Sequence, residues 1–329
     1  MMIEREARMP NYSYHPQLKK PEGLHSLDFS NPKLAFAVRV LVKKLLIQTR
    51  DFTPPPGVCL RLIEVPAWDG AQIECLVLEP ADESAPLPGM LYCHGGGFFL
   101  PLQPMMLQLA SRYAAALQMR VFLPEYRLLP EAPAPAAFED CLAVWRGMTA
   151  QADALGLDAG RLLLYGESAG GALAAGLAQR LCAEEGPRPA GQLLIYPVLD
   201  DRCGRYPSMQ RYADAAWPRH SNEYMWREYL RELPDAAAPR GPMRAAPADL
   251  ARLPAAYIEP QEIDTLRDEA AAYAEALRDA GTTVEVNEVP GSYHGFDADT
   301  ENPFVQAVVG RRICAMRAML DNINEGARI

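Results

Sequence analysis

Leu34, Val38, Leu41 and Leu45 fall at i, i+4, i+7 and i+11, a spacing that lays one apolar stripe along a helix. Ser30-Asn31-Pro32 supplies a capping side chain followed by a first-turn proline, and Thr53-Pro-Pro-Pro-Gly57 ends the helix. Two strands are predicted next, about 58–66 and 71–79, joined by Trp68-Asp69-Gly70, whose Asp-Gly step is a hairpin signal. After Pro88 short apolar runs alternate with helical stretches. Strands are predicted at Met90–Cys93, Arg120–Leu123, Arg161–Tyr165, Gly191–Tyr196, Ala255–Glu259 and Thr283–Val289, and helices at 135–150, 169–185, 265–280 and 303–322. This order implies a parallel sheet covered on both faces. Residues 202–250 break the rhythm. Tyr206, Tyr212, Trp217, Tyr224, Trp226 and Tyr229 stand there among Arg and Pro, which reads as an insertion over the sheet and not as a sheet layer.

Composition narrows the function classes. The chain has 329 residues, 49% of them apolar and 22% charged, an ordinary globular balance that excludes disorder and leaves room for a large core. Its net charge of −10, with no basic run, makes it a poor binder of nucleic acid or an anionic membrane. The longest apolar stretch, Leu34 to Ile47, is broken by Arg39, Lys43 and Lys44 and is too short to span a bilayer. The opening MMIEREARMP has no apolar signal-like run, and seven cysteines without a C-x-x-C pair read as buried reduced thiols. A cytoplasmic protein is expected.

The sharpest chemical signal is Gly166-Glu167-Ser168-Ala169-Gly170, placed where a strand turns straight into a helix. A nucleophile elbow needs this arrangement: glycines at −2 and +2 of the serine because the turn leaves no room for side chains, and a helix N-terminus aimed at the reaction centre. The bland alternative is a glycine-rich turn with Ser168 as a plain cap. His94-Gly95-Gly96-Gly97-Phe98 follows another strand, and its amides could bind an oxyanion. Gly96 and Gly97 are assigned to that role, with the Ala169 amide as third donor. No Lys or Ser/Thr follows as in a phosphate-binding loop.

A serine nucleophile needs a base. Of His15, His25, His94, His220 and His294, only His294 stands on a loop after the last strand, at the sheet end where sites form. His94 reads as a structural hydrogen-bonding residue. The base needs an orienting carboxylate, and the loop after 255–259 offers Asp264 and, in reserve, Glu262. The order Ser168, Asp264, His294 is that of an α/β-hydrolase.

Together HGGGF (94–98), EYRLLPE (125–131), GESAG (166–170), LIYPVLD (194–200), DTLRDE (264–269) and HGF (294–296) resemble the bacterial hormone-sensitive-lipase family of carboxylesterases over about residues 58–320. The resemblance implies an α/β-hydrolase fold with a mostly parallel eight-stranded sheet and a helical cap. It supports Asp264 over Glu262, since Asp264 heads the family's D-x-L-R-D-E block, and supports Gly96, Gly97 and Ala169 as the oxyanion hole. Residues 51–201 and 249–329 would form the catalytic core, and 1–50 with 202–248 the cap. The sequence departs from the family at Glu167, Glu125, Leu129 and the apolar Phe99–Pro104 segment, which bears on the pocket.

The expected function is a serine carboxylesterase for short- to medium-chain acyl esters, working through Ser168, His294 and Asp264 with no metal or organic cofactor. Its expected partner is a small ester, with a second copy of the chain as a homodimer. An amidase or lactonase could use the same triad. A non-catalytic binder of the same fold is disfavoured because His294 is present.

Overall fold

Strands β1 (Val58–Pro66) and β2 (Gln72–Pro80) form the expected hairpin. Its turn closes through Ala67 N–H to Ala71 O at 2.8 Å, with Gly70 at a φ of 86° that glycine adopts without strain. The structure is a computed structural model and describes residues 12–21, 36, 40, 49–82, 86–233 and 240–326, with side chains as far as 321. The helix expected around Leu34–Leu45 lies almost wholly outside the described residues.

Six further strands join the hairpin: β3 (Leu87–Cys93), β4 (Arg120–Pro124), β5 (Leu157–Glu167), β6 (Gly191–Ile195), β7 (Ala256–Glu259) and β9 (Val284–Val286). They make one eight-stranded sheet of order β1-β2-β4-β3-β5-β6-β7-β9, antiparallel at β1/β2 and β2/β4 and parallel from β4 onward. The apolar runs are continuous because both faces are buried. Along β5, Leu162 and Leu164 enter one core while Leu163 and Tyr165 enter the other, and β3 divides Leu91 and Cys93 from Met90 and Tyr92 in the same way. The first core is closed by helices α2 (Ala136–Ala150), α3 (Ala169–Ala183) and α7 (Arg267–Asp279), the second by α1 (Pro104–Leu117) and α8 (Pro303–Gly326).

The expected single strand Thr283–Val289 is two. Val284–Val286 borders the main sheet, whereas β10 (Val289–Tyr293) pairs in parallel with β8 (Gln261–Ile263) as a separate ribbon. Asn287 N–H still donates to Ile258 O, but Val289 N–H donates to Pro260 O, so the chain changes partners there. Pro290 has no N–H to extend a ladder, and Gly291 takes a φ of 65°. Helix α1 was not expected. Its signal lay in Pro104 at the first turn and in Met106, Leu107, Ala110, Tyr113 and Ala114, which share its buried face.

The insertion contains short helices α4 (Ser208–Arg211) and α5 (Arg219–Tyr229) and, among its described residues, no strand. Helix α6 (Pro247–Leu250) leads back to the core. All seven cysteines are free, but the expectation that they are buried fails for exposed Cys59 and Cys314 and half-buried Cys203. Among the described residues no helix is long and apolar enough to cross a membrane.

Candidate active site

Ser168 sits between β5 and α3 at φ 54° and ψ −123°, a region L-residues rarely occupy. The surroundings fix that conformation. Its N–H donates to Ile195 O, and its carbonyl accepts from Gly171 and Val198. A Cβ at Gly166 would lie 2.1 Å from Gly170 O, and one at Gly170 would lie 2.0 Å from Cys93 O. The two glycines are therefore demanded by contact and not merely by turn propensity.

β10 ends at Tyr293 and delivers His294; β8 ends at Ile263 and delivers Asp264. The small ribbon thus brings His294 and Asp264 together, although 30 residues separate them. His294 Nδ1 lies 2.8 Å from Asp264 Oδ2, and Nε2 lies 2.8 Å from Ser168 Oγ. A carboxylate can only accept, so Nδ1 carries the hydrogen and Nε2 is left to accept the serine hydroxyl. Asp264 is fully buried, and its other oxygen accepts the N–H of Leu266 at 3.1 Å. Glu262, the reserve candidate, instead accepts the N–H of Gly291 at 2.7 Å. His94 is buried, stacks on Tyr126 at 4.1 Å and donates through Nδ1 to Gly95 O at 2.8 Å; burial pushes its pKa down to about 4. His220 is exposed, and His15 stacks on Phe304. His25 lies outside the described residues.

Gly96 and Gly97, at φ 113° and 61°, line a cavity of about 360 Å³ together with Ser168 and His294. Ala169 opens α3 directly after the serine. The rest of the described wall is mostly apolar, including Leu100, Met105, Met106, Tyr196 and Trp217, and holds no Lys or Arg. Trp217 covers the site: a Cβ on Gly97 would meet its indole at 2.8 Å, and its ring stacks on His294 with centroids 5.7 Å apart. Of the insertion's other rings, Tyr224 stacks on Phe99, Tyr229 on Phe98, and Trp226 packs against Tyr229. These three rings join the buried core and pack the insertion onto it. A larger cavity of about 1020 Å³, bordered by Arg50, Glu74, Glu125 and Arg127, contains no serine or histidine among its described residues. No group of His, Cys, Asp and Glu among the described residues is arranged to hold a metal.

Behind the histidine lies a polar network that the sequence reading missed. Fully buried Arg312 donates to Glu259 at 2.6 Å and to Asp297 at 2.7 Å. The Tyr196 hydroxyl donates to Asp297 at 2.7 Å, and the Tyr196 ring packs on His294 at 4.7 Å. Asp297 follows the histidine by three residues, which is a usable signal. Arg312 carries none, being one of three arginines in an amphipathic helix.

A family model described as alpha/beta hydrolase fold matches residues 90–298. The chain belongs to the α/β-hydrolase family. It is 34% identical over 243 residues to an ethyl acetate hydrolase of Pseudomonas putida, covering 72% of this chain and 76% of that one. Carboxylesterase NlhH of Mycobacterium tuberculosis is 35% identical over 238 residues, 71% of this chain and 74% of its own. Among solved structures, a bacterial heroin esterase superposes with a TM-score of 0.78 at 30% identity, over 94% of this chain and 98% of that one. The α/β-hydrolase expected from the motifs is thus what the fold and the relatives show.

Proposed function

We propose that this α/β-hydrolase is a serine carboxylesterase for small neutral esters with acyl groups of about two to eight carbons. The observation that carries the reading is the continuous relay Asp264–His294–Ser168, with 2.8 Å at each step, opening onto an apolar cavity beside the glycine loop. Ser168 attacks the ester carbonyl while His294 Nε2 takes its proton. Asp264 holds the imidazole and stabilises its charged form. The carbonyl oxygen gains negative charge and is held by the amides of Gly96, Gly97 and Ala169, the last at the positive end of α3. His294 then protonates the leaving alcohol, and water repeats both steps on the acyl-enzyme.

A mostly apolar wall without Lys or Arg, whose carboxylate, Glu167, is taken up by Tyr92 and Gly95, supports neutral substrates, and Trp217 over the glycine loop supports short acyl groups. Relatives named for ethyl acetate and carboxylic esters point the same way. Residues 1–50 and 202–248 are assigned to a cap over a core of 51–201 and 249–329. Free cysteines support a cytoplasmic location, and a homodimer belongs to the same reading. Hydrolysis of p-nitrophenyl esters from acetyl to palmitoyl, with aryl amides and lactones alongside, tests it. A maximum at short acyl esters is expected; preference for amides or lactones, or no turnover, overturns it.

A further inference from the structure

Glu167 takes no step in the reaction above, yet it joins the two halves of the site. It ends β5 directly before Ser168 and is 3% exposed. Its Oε2 accepts the Tyr92 hydroxyl at 2.7 Å, and its Oε1 accepts the backbone N–H of Gly95 at 3.4 Å. Tyr92 lies on the strand that runs into the glycine loop, and Gly95 begins the loop's run of three glycines. Gly95 is pressed against the elbow: a Cβ there would lie 3.2 Å from Ser168 Cβ and 3.3 Å from Glu167 Cγ.

We propose that Glu167 is a positioning residue, whose carboxylate clamps Gly95 to the nucleophile elbow and so holds the amides of Gly96 and Gly97 in register with Ser168. The inference rests on the esterase reading and on its oxyanion hole. Three successive glycines have more conformational freedom to lose than any other tripeptide. Oxyanion donors work only when held within about 0.5 Å of the productive position. A tie at the loop's first residue meets that need.

At 3.4 Å the contact is long, so its strength depends on the acceptor being charged. Glu167 faces Tyr92 from β3, Tyr126 after β4, Tyr165 from β5, Tyr196 after β6, Asp297 after His294, and Arg312 from α8. Burial, then Asp297, pushes its pKa up to about 7, against the pull of the Tyr92 hydrogen bond and Arg312. The clamp therefore loosens as pH falls through 7.

The test compares wild type with Glu167→Gln, which keeps the shape without the charge, and with Glu167→Ala. Activity on p-nitrophenyl butyrate is measured from pH 5 to 9. Affinity for an aryl trifluoromethyl ketone, whose serine adduct carries an oxyanion, is measured in parallel. Expected are a kcat loss of about tenfold for Gln and about a hundredfold for Ala, with KM nearly unchanged and ketone affinity falling in proportion. Below pH 7 the wild-type rate should fall more steeply than the rate of either variant, because only the wild type loses the Glu167 charge there. Wild-type kcat and ketone affinity in Glu167→Gln, or an unchanged pH profile, overturns the clamp; if Glu167→Ala does not fold, the Gln variant decides alone. Absence of Ser168-dependent hydrolysis in the wild type would instead sink the esterase reading, and the clamp with it.

Discussion

The indole of Trp217 lies over the imidazole of His294, with planes 26° from parallel. One ring comes from the insertion, the other from the loop after β10. Thr265, next to the acid, ties them further: its hydroxyl donates to the Trp217 carbonyl at 2.8 Å. The insertion is thereby fastened to the relay it covers. Trp217→Ala should widen the space over Gly97 and raise kcat/KM for octanoyl relative to acetyl esters by about tenfold. An unchanged ratio would show that the ring sets no acyl limit.

Ser168→Ala should lower kcat by about 10⁴–10⁶ and leave the fold intact. A fluorophosphonate should label the wild type at Ser168 and leave the variant unmarked. Retention of a tenth of the activity would remove the serine from the mechanism.

The two neighbouring carboxylates should respond very differently. In Asp264→Asn the one remaining oxygen is held by the Leu266 N–H, so an NH2 faces Nδ1, the Nδ1–H tautomer is no longer fixed, and kcat should fall by on the order of 10⁴. Glu262→Gln loses only the charge behind the Gly291 contact and should stay within about threefold, since the amide oxygen can still accept. Steady-state kinetics on one ester compares them directly, and similar losses would contradict the assignment.

Arg312 is buried with Glu259 and Asp297, so Arg312→Met leaves two buried carboxylates without their cation. A loss of about 3–5 kcal/mol in urea unfolding is expected. Adding Glu259→Gln and Asp297→Asn should recover part of it, because the uncompensated charges are then gone too. If the single variant is as stable as wild type, the network carries no such weight.

Glu125, beside the larger cavity, gives a pH-dependent stability. Burial raises its carboxyl pKa from 4.5 to about 7. Below 4.5 the group is protonated whether folded or unfolded, so it costs nothing extra. Between 4.5 and 7 the unfolded chain gives up its proton first, and folding is progressively disfavoured; above 7 the loss is complete. Glu125→Gln should therefore match wild type at pH 4.5 and exceed it at pH 8, by on the order of 1 kcal/mol or a few degrees of Tm. Thermal unfolding at both pH values reads this, and a constant difference would refute it.

Sequence alone made the parallel sheet and the elbow at Ser168 legible, because these depend on short-range demands. A strand buried on both faces must be apolar throughout, and the turn at Ser168 admits only glycine at 166 and 170. It also placed Asp264 and His294 on loops at the right end of the sheet, though it left Glu262 open. Which of the two carboxylates meets His294 depends on tertiary packing, since the register along the β8/β10 ribbon turns Asp264 toward His294 and Glu262 toward Gly291. Packing likewise sets Trp217 against the cavity while Tyr224, Trp226 and Tyr229 face the core, because the insertion's aromatic residues look alike until their packing partners are known. Arg312 was invisible for the same reason. An arginine in an amphipathic helix reads as a solvated charge, and only the approach of Glu259 and Asp297 from distant segments makes it a buried one.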